Sequence, residues 1–242
     1  MLLRRVYSTA FWAFLAGSSI ALFPVAVAVW AVTSPFDRRR VVLHQFTCFW
    51  ASLYTWVNPL WPVALNGREK IRRGETYVMV SNHLSLLDIL VLFRLFRPYK
   101  WVSKIENFRI PFIGWNMRLN RYIELRRGDR ESIVQMMAEC ERTLRAGSSI
   151  LMFPEGTRSR TGELQAFKTG AFELALRTAS PILPIVIEGT SDALPKRGFV
   201  LRGRHPIRVR VLDPIPADSF AQMSAKELAE QTRALYAAEL GA

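Results

Sequence analysis

Apolar positions in this chain fall into two regimes. From Val6 to Phe36 no Asp, Glu, Lys, Arg or His occurs, a run of 31 residues. As a helix it would extend about 46 Å against a hydrocarbon core of about 30 Å, long enough to cross a bilayer with tilt or a kink near Pro24. A secretory signal peptide competes with that reading, because Arg4 and Arg5 precede the run and Ala26-Val27-Ala28 resembles a cleavage site. The run is longer than the roughly 7 to 15 apolar residues of such a signal. A second stretch, Val41 to Gly67, carries no formal charge and holds His44, Trp50, Tyr54, Trp56, Trp61, Pro59 and Pro62. Dense aromatic residues suit the headgroup level and the prolines interrupt a spanning helix, so an interfacial or re-entrant helix is expected, with a buried core helix as the alternative. Residues 1–67 are therefore expected to form an apolar two-helix membrane anchor, and residues 68–242 a separate domain.

From Glu75 onward short apolar runs alternate with helical stretches. The pattern predicts strands at 77–80, 100–103, 121–125, 149–153, 182–187 and 207–212, and helices at 86–96, 131–146, 169–178 and 225–240. In the last strand Ile207, Val209 and Val211 alternate with Arg208 and Arg210, as in a half-exposed strand. Ser224 and Glu227 stand at capping-box spacing before the last helix. The fold class is α/β, a mixed β-sheet flanked by helices.

Composition narrows the chemistry. The 242 residues include 33 Lys plus Arg against 20 Asp plus Glu, a formal charge of +13 that calls for an anionic partner such as nucleic acid, a membrane surface or a phosphorylated substrate. Residues 1–67 contribute +4 and the remainder +9, so both parts are expected to lie on an anionic leaflet. The basic residues form no single helix face and no known nucleic-acid motif, which argues against nucleic acid. Cys48 and Cys140 are far apart, which leaves no disulfide framework and fits a reduced, cytosol-facing compartment. His44, His83 and His205 lack ligand spacing and no glycine-rich nucleotide motif occurs, so neither a metal nor a cofactor is expected. Arg38 to Arg40 with Arg68, Lys70, Arg72 and Arg73 outnumber Arg4 and Arg5, which places the larger domain on the cytoplasmic side of the membrane.

Two stretches carry candidate chemistry. In Val80-Ser81-Asn82-His83-Leu84-Ser85-Leu86-Leu87-Asp88 an apolar strand enters a helix through a polar turn. Five helical steps would leave His83 and Asp88 about 140° apart, so His83 must precede the helix and fold back toward Asp88. Alternatively, Ser85 and Asp88 have N-cap and N3 spacing, and Asp88 only caps the helix. In the second stretch a buried strand ends in Pro154-Glu155-Gly156-Thr157-Arg158-Ser159-Arg160, a loop whose guanidiniums match phosphate oxygens. An ordinary polar turn would explain the Pro and Gly, but not Glu155 and Arg158.

These residues resemble the glycerolipid acyltransferases, and among them the lysophosphatidic acid acyltransferases. Their N-H-x-S-x-x-D motif is met by Asn82, His83, Ser85 and Asp88, and F-P-E-G-T-R-S by Phe153 through Ser159. A further motif is similar to Lys104, Ile110-Pro111-Phe112-Ile113-Gly114 and either Arg126 or Arg127, and a fourth to Leu183-Pro184-Ile185. The resemblance, over about residues 68–190, implies acyl transfer from acyl-CoA or acyl-carrier protein to the free hydroxyl of 1-acylglycerol-3-phosphate. Another lysophospholipid, or lyso-ornithine lipid, is the alternative acceptor. A neutral imidazole suits removal of the hydroxyl proton, which assigns His83 as base and Asp88 as its orienting carboxylate. Arg158, Lys104 and Arg126 or Arg127 would hold the phosphate, with Arg160 and Lys168 as further cations. Asn82, Ser85, Glu155, Gly156 and Thr157 would support the site, Glu155 by ordering its loop and Ser85 as a helix cap. Amides at the start of the helix at Leu86 or in the loop of Glu155 to Thr157 are candidates for the oxyanion. Removing residues 1–67 is expected to leave a folded α/β domain that binds membranes poorly.

Overall fold

The computed structural model describes residues 2–159, 161–194 and 200–241. Two apolar helices, α1 (Leu2–Thr33) and α2 (Val41–Trp56), precede the first strand, β1 (Val63–Asn66). Then follow β2 (Val78–Ser81), α3 (Leu87–Phe93), β3 (Tyr99–Lys104), α4 (Ile113–Leu119), β4 (Ile123–Leu125), α5 (Arg130–Arg145) and β5 (Ser149–Met152). The chain closes with α6 (Gly170–Thr178), β6 (Ile182–Glu188), the single turn α7 (Thr190–Ala193), β7 (Ile207–Val211) and α8 (Ala225–Leu240). The strands form one sheet in the order β1-β7-β6-β2-β5-β3-β4, parallel throughout except at the β6/β7 junction. It is the expected mixed α/β sheet.

The central strands are buried on both faces, as apolar parallel strands covered by helices must be. Their period of two sends Met79, Leu151, Leu183 and Ile185 into one core with α1, α2 and α3. Val78, Val80, Ile150, Ile182 and Val186 enter a second core with α5, α6 and α8. Strand edges differ from the expected ones by one or two residues, and α3 ends three residues early at Phe93, followed by turns through Leu95 and Phe96. The expected capping box of α8 is present, with Ser224 and Glu227 each bonded to the other's backbone.

Pro184 lies inside β6 and removes a ladder donor where β6 meets β2. The hydroxyl of Tyr236, on α8, fills the gap: it donates to the Val80 carbonyl at 2.7 Å and accepts the Ile185 amide at 2.9 Å. Two residues further on, the Asn82 side chain accepts from the Ile187 amide and donates to its carbonyl, both at 2.8 Å. Side chains thus extend the β2/β6 ladder beyond its backbone pairing, toward the turn that carries His83.

The two-helix anchor requires correction. Helix α1 is, among the described residues, the one helix long and apolar enough to cross a membrane, and it passes through Pro24 without ending. Helix α2 instead buries Leu43, Cys48, Trp50, Ala51 and Tyr54 in the core and packs on α3. Several of its polar residues are partnered inside, Thr47 and Thr55 by backbone carbonyls and His44 by Tyr122 and Arg97. Burial lowers the pKa of His44 to about 3, so its ring is neutral, with Nδ1 2.8 Å from the Tyr122 hydroxyl and Nε2 donating to the Arg97 carbonyl at 2.9 Å. The alternative of a core helix describes this inner face, while Val42, Phe49 and Trp56 remain exposed on the outer one.

The expected boundary at residue 67 is also wrong, because β1 pairs in parallel with β7 and belongs to the sheet. Four residues behind two prolines gave no pattern long enough to read as a strand. Removing residues 1–67 takes away a core helix and an edge strand, so that truncation should fail to give a cooperatively unfolding domain in detergent. A sharp thermal transition for it by circular dichroism would refute this. Tyr236→Phe, which leaves the Ile185 amide and the Val80 carbonyl unpaired, should cost about 1–3 kcal/mol, read from chemical unfolding of the full chain. No measurable loss would mean that the hydroxyl does not complete the ladder.

Candidate active site

Loops after β2, β5 and β6 converge at the carboxyl edge of the sheet, where open α/β sheets hold their ligands. Residues 82–86 form an irregular turn between β2 and α3, so His83 precedes the helix. Its Nδ1 lies 2.8 Å from Asp88 Oδ2. The same oxygen accepts the amides of Leu84 at 2.6 Å and Ser85 at 2.8 Å, while the Thr190 hydroxyl donates to Oδ1 at 2.5 Å. The carboxylate is fully buried and the imidazole reaches the surface with 11% of its side chain exposed. Capping and orienting are therefore one arrangement: the carboxylate that closes the turn also holds the imidazole. Because Asp88 accepts, the neutral ring carries its proton on Nδ1 and its lone pair on Nε2.

The F-P-E-G-T-R-S loop packs directly on this turn. The Phe153 ring stacks on the imidazole, with centroids 3.8 Å apart and planes within 9°. Glu155 is buried, accepts the His83 amide at 2.7 Å through Oε1, and accepts the backbone and side-chain amides of Gln165 at 3.2 and 3.0 Å through Oε2. Burial raises its pKa, opposed by the amides of His83 and Gln165. The Ser159 amide donates to the His83 carbonyl at 2.8 Å, which sets Arg158 next to the histidine turn. Gly156 has a φ of 71°, and a Cβ there would lie 3.0 Å from the Lys168 side chain, so glycine lets that cation cross the loop. Arg160 lies outside the described residues.

The other expected residues sort by position. Asn82 supports the site by joining β2 to β6, as described above. Ser85 is not the N-cap residue of α3, a place taken by Leu86; its hydroxyl donates to the Leu194 carbonyl at 2.6 Å and accepts the Leu87 amide at 3.3 Å. Amides proposed for the oxyanion are in part engaged: those of Leu84 and Ser85 by Asp88, that of Leu87 by Ser85, and that of Gly156 by the Phe153 carbonyl at 3.0 Å. Lys104 ends β3 and Arg126 follows β4, on the same edge of the sheet but outboard of β5. Lys104 stands 3.8 Å from Glu106 and Arg126 3.3 Å from Asp129, and the hydrogen-bonded cluster around His83 contains neither. Gly114 is set by close approach, since a Cβ would meet the Phe108 carbonyl oxygen at 2.4 Å.

Three contributors escaped sequence reasoning. Thr190, 102 residues from its partner Asp88, carried no signal beyond its place after a strand. Gln165 and the stacking role of Phe153 depend on how the β5 loop folds back, which no local pattern reports.

Among the described residues no group of three or more His, Cys, Asp or Glu is arranged to hold a metal ion. The site offers instead a base with an oriented lone pair, a buried carboxylate behind it and a cationic loop alongside. Such a set can take a proton from a hydroxyl while holding an anion.

Residues 62–188, just over half of the chain, match the family model for the acyltransferases. The chain is 36% identical over 197 residues to a 1-acyl-sn-glycerol-3-phosphate acyltransferase of Chlamydomonas reinhardtii, covering 81% of this chain and 59% of that one. It is 35% identical over 218 residues to the chloroplastic 1-acyl-sn-glycerol-3-phosphate acyltransferase BAT2 of Brassica napus, covering 88% and 63%. The chain thus spans about three fifths of the length of these curated relatives. Its fold matches the crystal structure of the 1-acyl-sn-glycerophosphate (LPA) acyltransferase PlsC from Thermotoga maritima, with a TM-score of 0.76 at 22% identity over 99% of this chain and 98% of that one. By its family match, its relatives and the motifs assembled at the carboxyl edge of its sheet, this chain belongs to the acyltransferase family.

Proposed function

We propose that this protein is a membrane-bound O-acyltransferase that moves a fatty acyl group from acyl-CoA or acyl-carrier protein to the free hydroxyl of 1-acylglycerol-3-phosphate, giving phosphatidic acid. The observation that carries the reading is the bond between His83 and buried Asp88, which directs the Nε2 lone pair away from the protein's own hydrogen bonds. The names of the relatives supply the acceptor. The exposed apolar surface of α1 supports attachment to the bilayer, and the excess of basic residues after α1 supports an inner-membrane protein with its site toward the cytoplasm.

His83 Nε2 takes the acceptor's hydroxyl proton as that oxygen attacks the thioester carbonyl. The ring becomes an imidazolium, held in plane by Phe153 and balanced by Asp88, and the carbonyl oxygen takes the negative charge of a tetrahedral intermediate. Collapse breaks the carbon–sulfur bond, and the departing thiolate takes the proton from Nε2. The substrate hydroxyl stands where a hydrolase would place its serine, so no acyl-enzyme forms. Arg158, with Lys168 against the same loop at Gly156 and Lys104 and Arg126 further out, holds the acceptor's phosphate.

The test is transfer of radiolabelled oleate from oleoyl-CoA to lysophosphatidic acid in detergent, with a panel of other lysolipids in parallel. His83→Ala should lower kcat at least about 100-fold and Asp88→Asn by roughly 10²- to 10⁴-fold, since an amide disturbs the ring's tautomer. Thr190→Val should lower kcat with KM nearly unchanged, because the threonine acts through Asp88. Full activity without His83 would end this mechanism, and product from another lysolipid alone would change the acceptor.

Glu155→Gln supplies a separate check. All of its partners donate, so one amide hydrogen must face another donor, at about 1–3 kcal/mol. The variant should lose both thermal stability and kcat. A variant with wild-type stability and turnover would show that the two loops do not depend on this carboxylate.

A further inference from the structure

At the opposite end of the sheet from His83 lies a cavity of about 530 Å³. Its walls come from the segments that lead into β2 and β3, with Ser149 at the start of β5, Met79 in β2 and Gln45 on α2, whereas the candidate active site is built from residues after β2, β5 and β6. Four arginines line it, Arg68, Arg72, Arg73 and Arg97, together with Gln45 and Phe96. Glu75 is its one lining acid among the described residues, and that carboxylate is shared between Arg72 at 3.3 Å and the Tyr77 hydroxyl. Arg68 is tied to the Leu95 carbonyl at 2.6 Å, and Arg97 Nε is buried without a hydrogen-bond partner. Burial, together with the charges of Arg68 and Arg73, lowers the pKa of Arg97. Four like charges around one small space repel unless an anion joins them, and planar guanidinium forks match phosphate oxygens.

The neighbouring surface indicates where that phosphate comes from. Val42, Phe49 and Trp56 recur every seven residues along α2 and are 45, 44 and 47% exposed, a stripe facing away from the core. Gln45 lies on the same stripe and also lines the cavity, where its amide donates to the Phe96 carbonyl at 3.3 Å. Trp56 stacks on Phe96, with centroids 6.0 Å apart and planes within 11°. An apolar helix face bordered by an arginine-lined cavity matches the boundary between acyl chains and acidic headgroups.

We propose that this cavity is a non-catalytic binding site for a phosphate-bearing anion, and that its occupant is the headgroup of an acidic membrane phospholipid. The stripe on α2 enters the acyl region while Arg73 and Arg97 close on the phosphate from the side of the sheet away from the chemistry. The inference rests on the membrane attachment proposed above but not on acyl transfer.

The experiment melts the full chain in neutral detergent micelles at fixed ionic strength, with phosphatidylglycerol, phosphatidylcholine or inorganic pyrophosphate added. Phosphatidylglycerol, near 100 times its dissociation constant, should raise Tm by about 5 to 11 °C and phosphatidylcholine should not. Arg73→Ala combined with Arg97→Met should remove most of that shift, whereas Arg130→Ala combined with Arg145→Ala, an equal charge loss on exposed α5 positions, should keep it. Equal shifts in both double variants would reduce the effect to net charge and overturn the site. Stabilisation by pyrophosphate that matches phosphatidylglycerol and leaves it nothing to add would overturn the lipid and leave a free phosphate. Oleate transfer assayed on the same samples separates the two readings: a lipid shift without activity counts against the acyltransferase assignment alone, and activity without a lipid shift counts against this site alone.

Discussion

Everything at the carboxyl edge of this sheet depends on one buried carboxylate. Asp88 draws the His83 ring, two turn amides and the Thr190 hydroxyl onto its two oxygens, and so joins the end of β2, the start of α3 and the loop after β6. A buried carboxylate is costly unless donors surround it, and here the donors are the groups whose positions matter. The turn cannot relax without breaking those bonds, and the histidine cannot rotate without losing its partner. Glu155 repeats the device one strand away, binding the His83 amide and Gln165, so the backbone of the histidine is held as firmly as its ring.

The sheet makes such concentration possible. Parallel strands put the carboxyl ends of β2 and β5 side by side, and β6 lies on the other side of β2. Pro184 would weaken the β2/β6 seam at its centre, yet Tyr236 and Asn82 replace the missing ladder contacts with side-chain bonds. Binding energy for the strands and placement of the histidine turn thus come from the same short set of residues. The chain's positive charge is divided in the same way, with one group of cations beside the chemistry and another group of arginines at the far end, next to the exposed face of α2.

Much of this was legible from local sequence. Short apolar runs located six of the seven strands, and a run of 31 uncharged residues located α1. The spacing of His83 and Asp88 already required a turn before a helix, because a regular helix would hold them on different faces. Glu155 was expected to order its loop, and its carboxylate accepts the amides of His83 and Gln165. The fate of α2 did not follow: its composition fits a membrane interface and a core equally well, and both descriptions apply, one to each face. Strand β1 was missed because four residues next to prolines carry too little pattern, and its identity comes from pairing with β7, 144 positions away.

The sequence by itself determined the fold class, the long apolar helix and the residue types of the candidate site, because hydrophobic periodicity and motif spacing are local properties. Only the tertiary structure decided which groups meet: Thr190 with Asp88, Tyr236 with the β2/β6 seam, Phe153 with the imidazole, and four arginines around one cavity. Those contacts close loops of tens to more than a hundred residues. Their energies depend on burial and geometry that exist only once the sheet has formed.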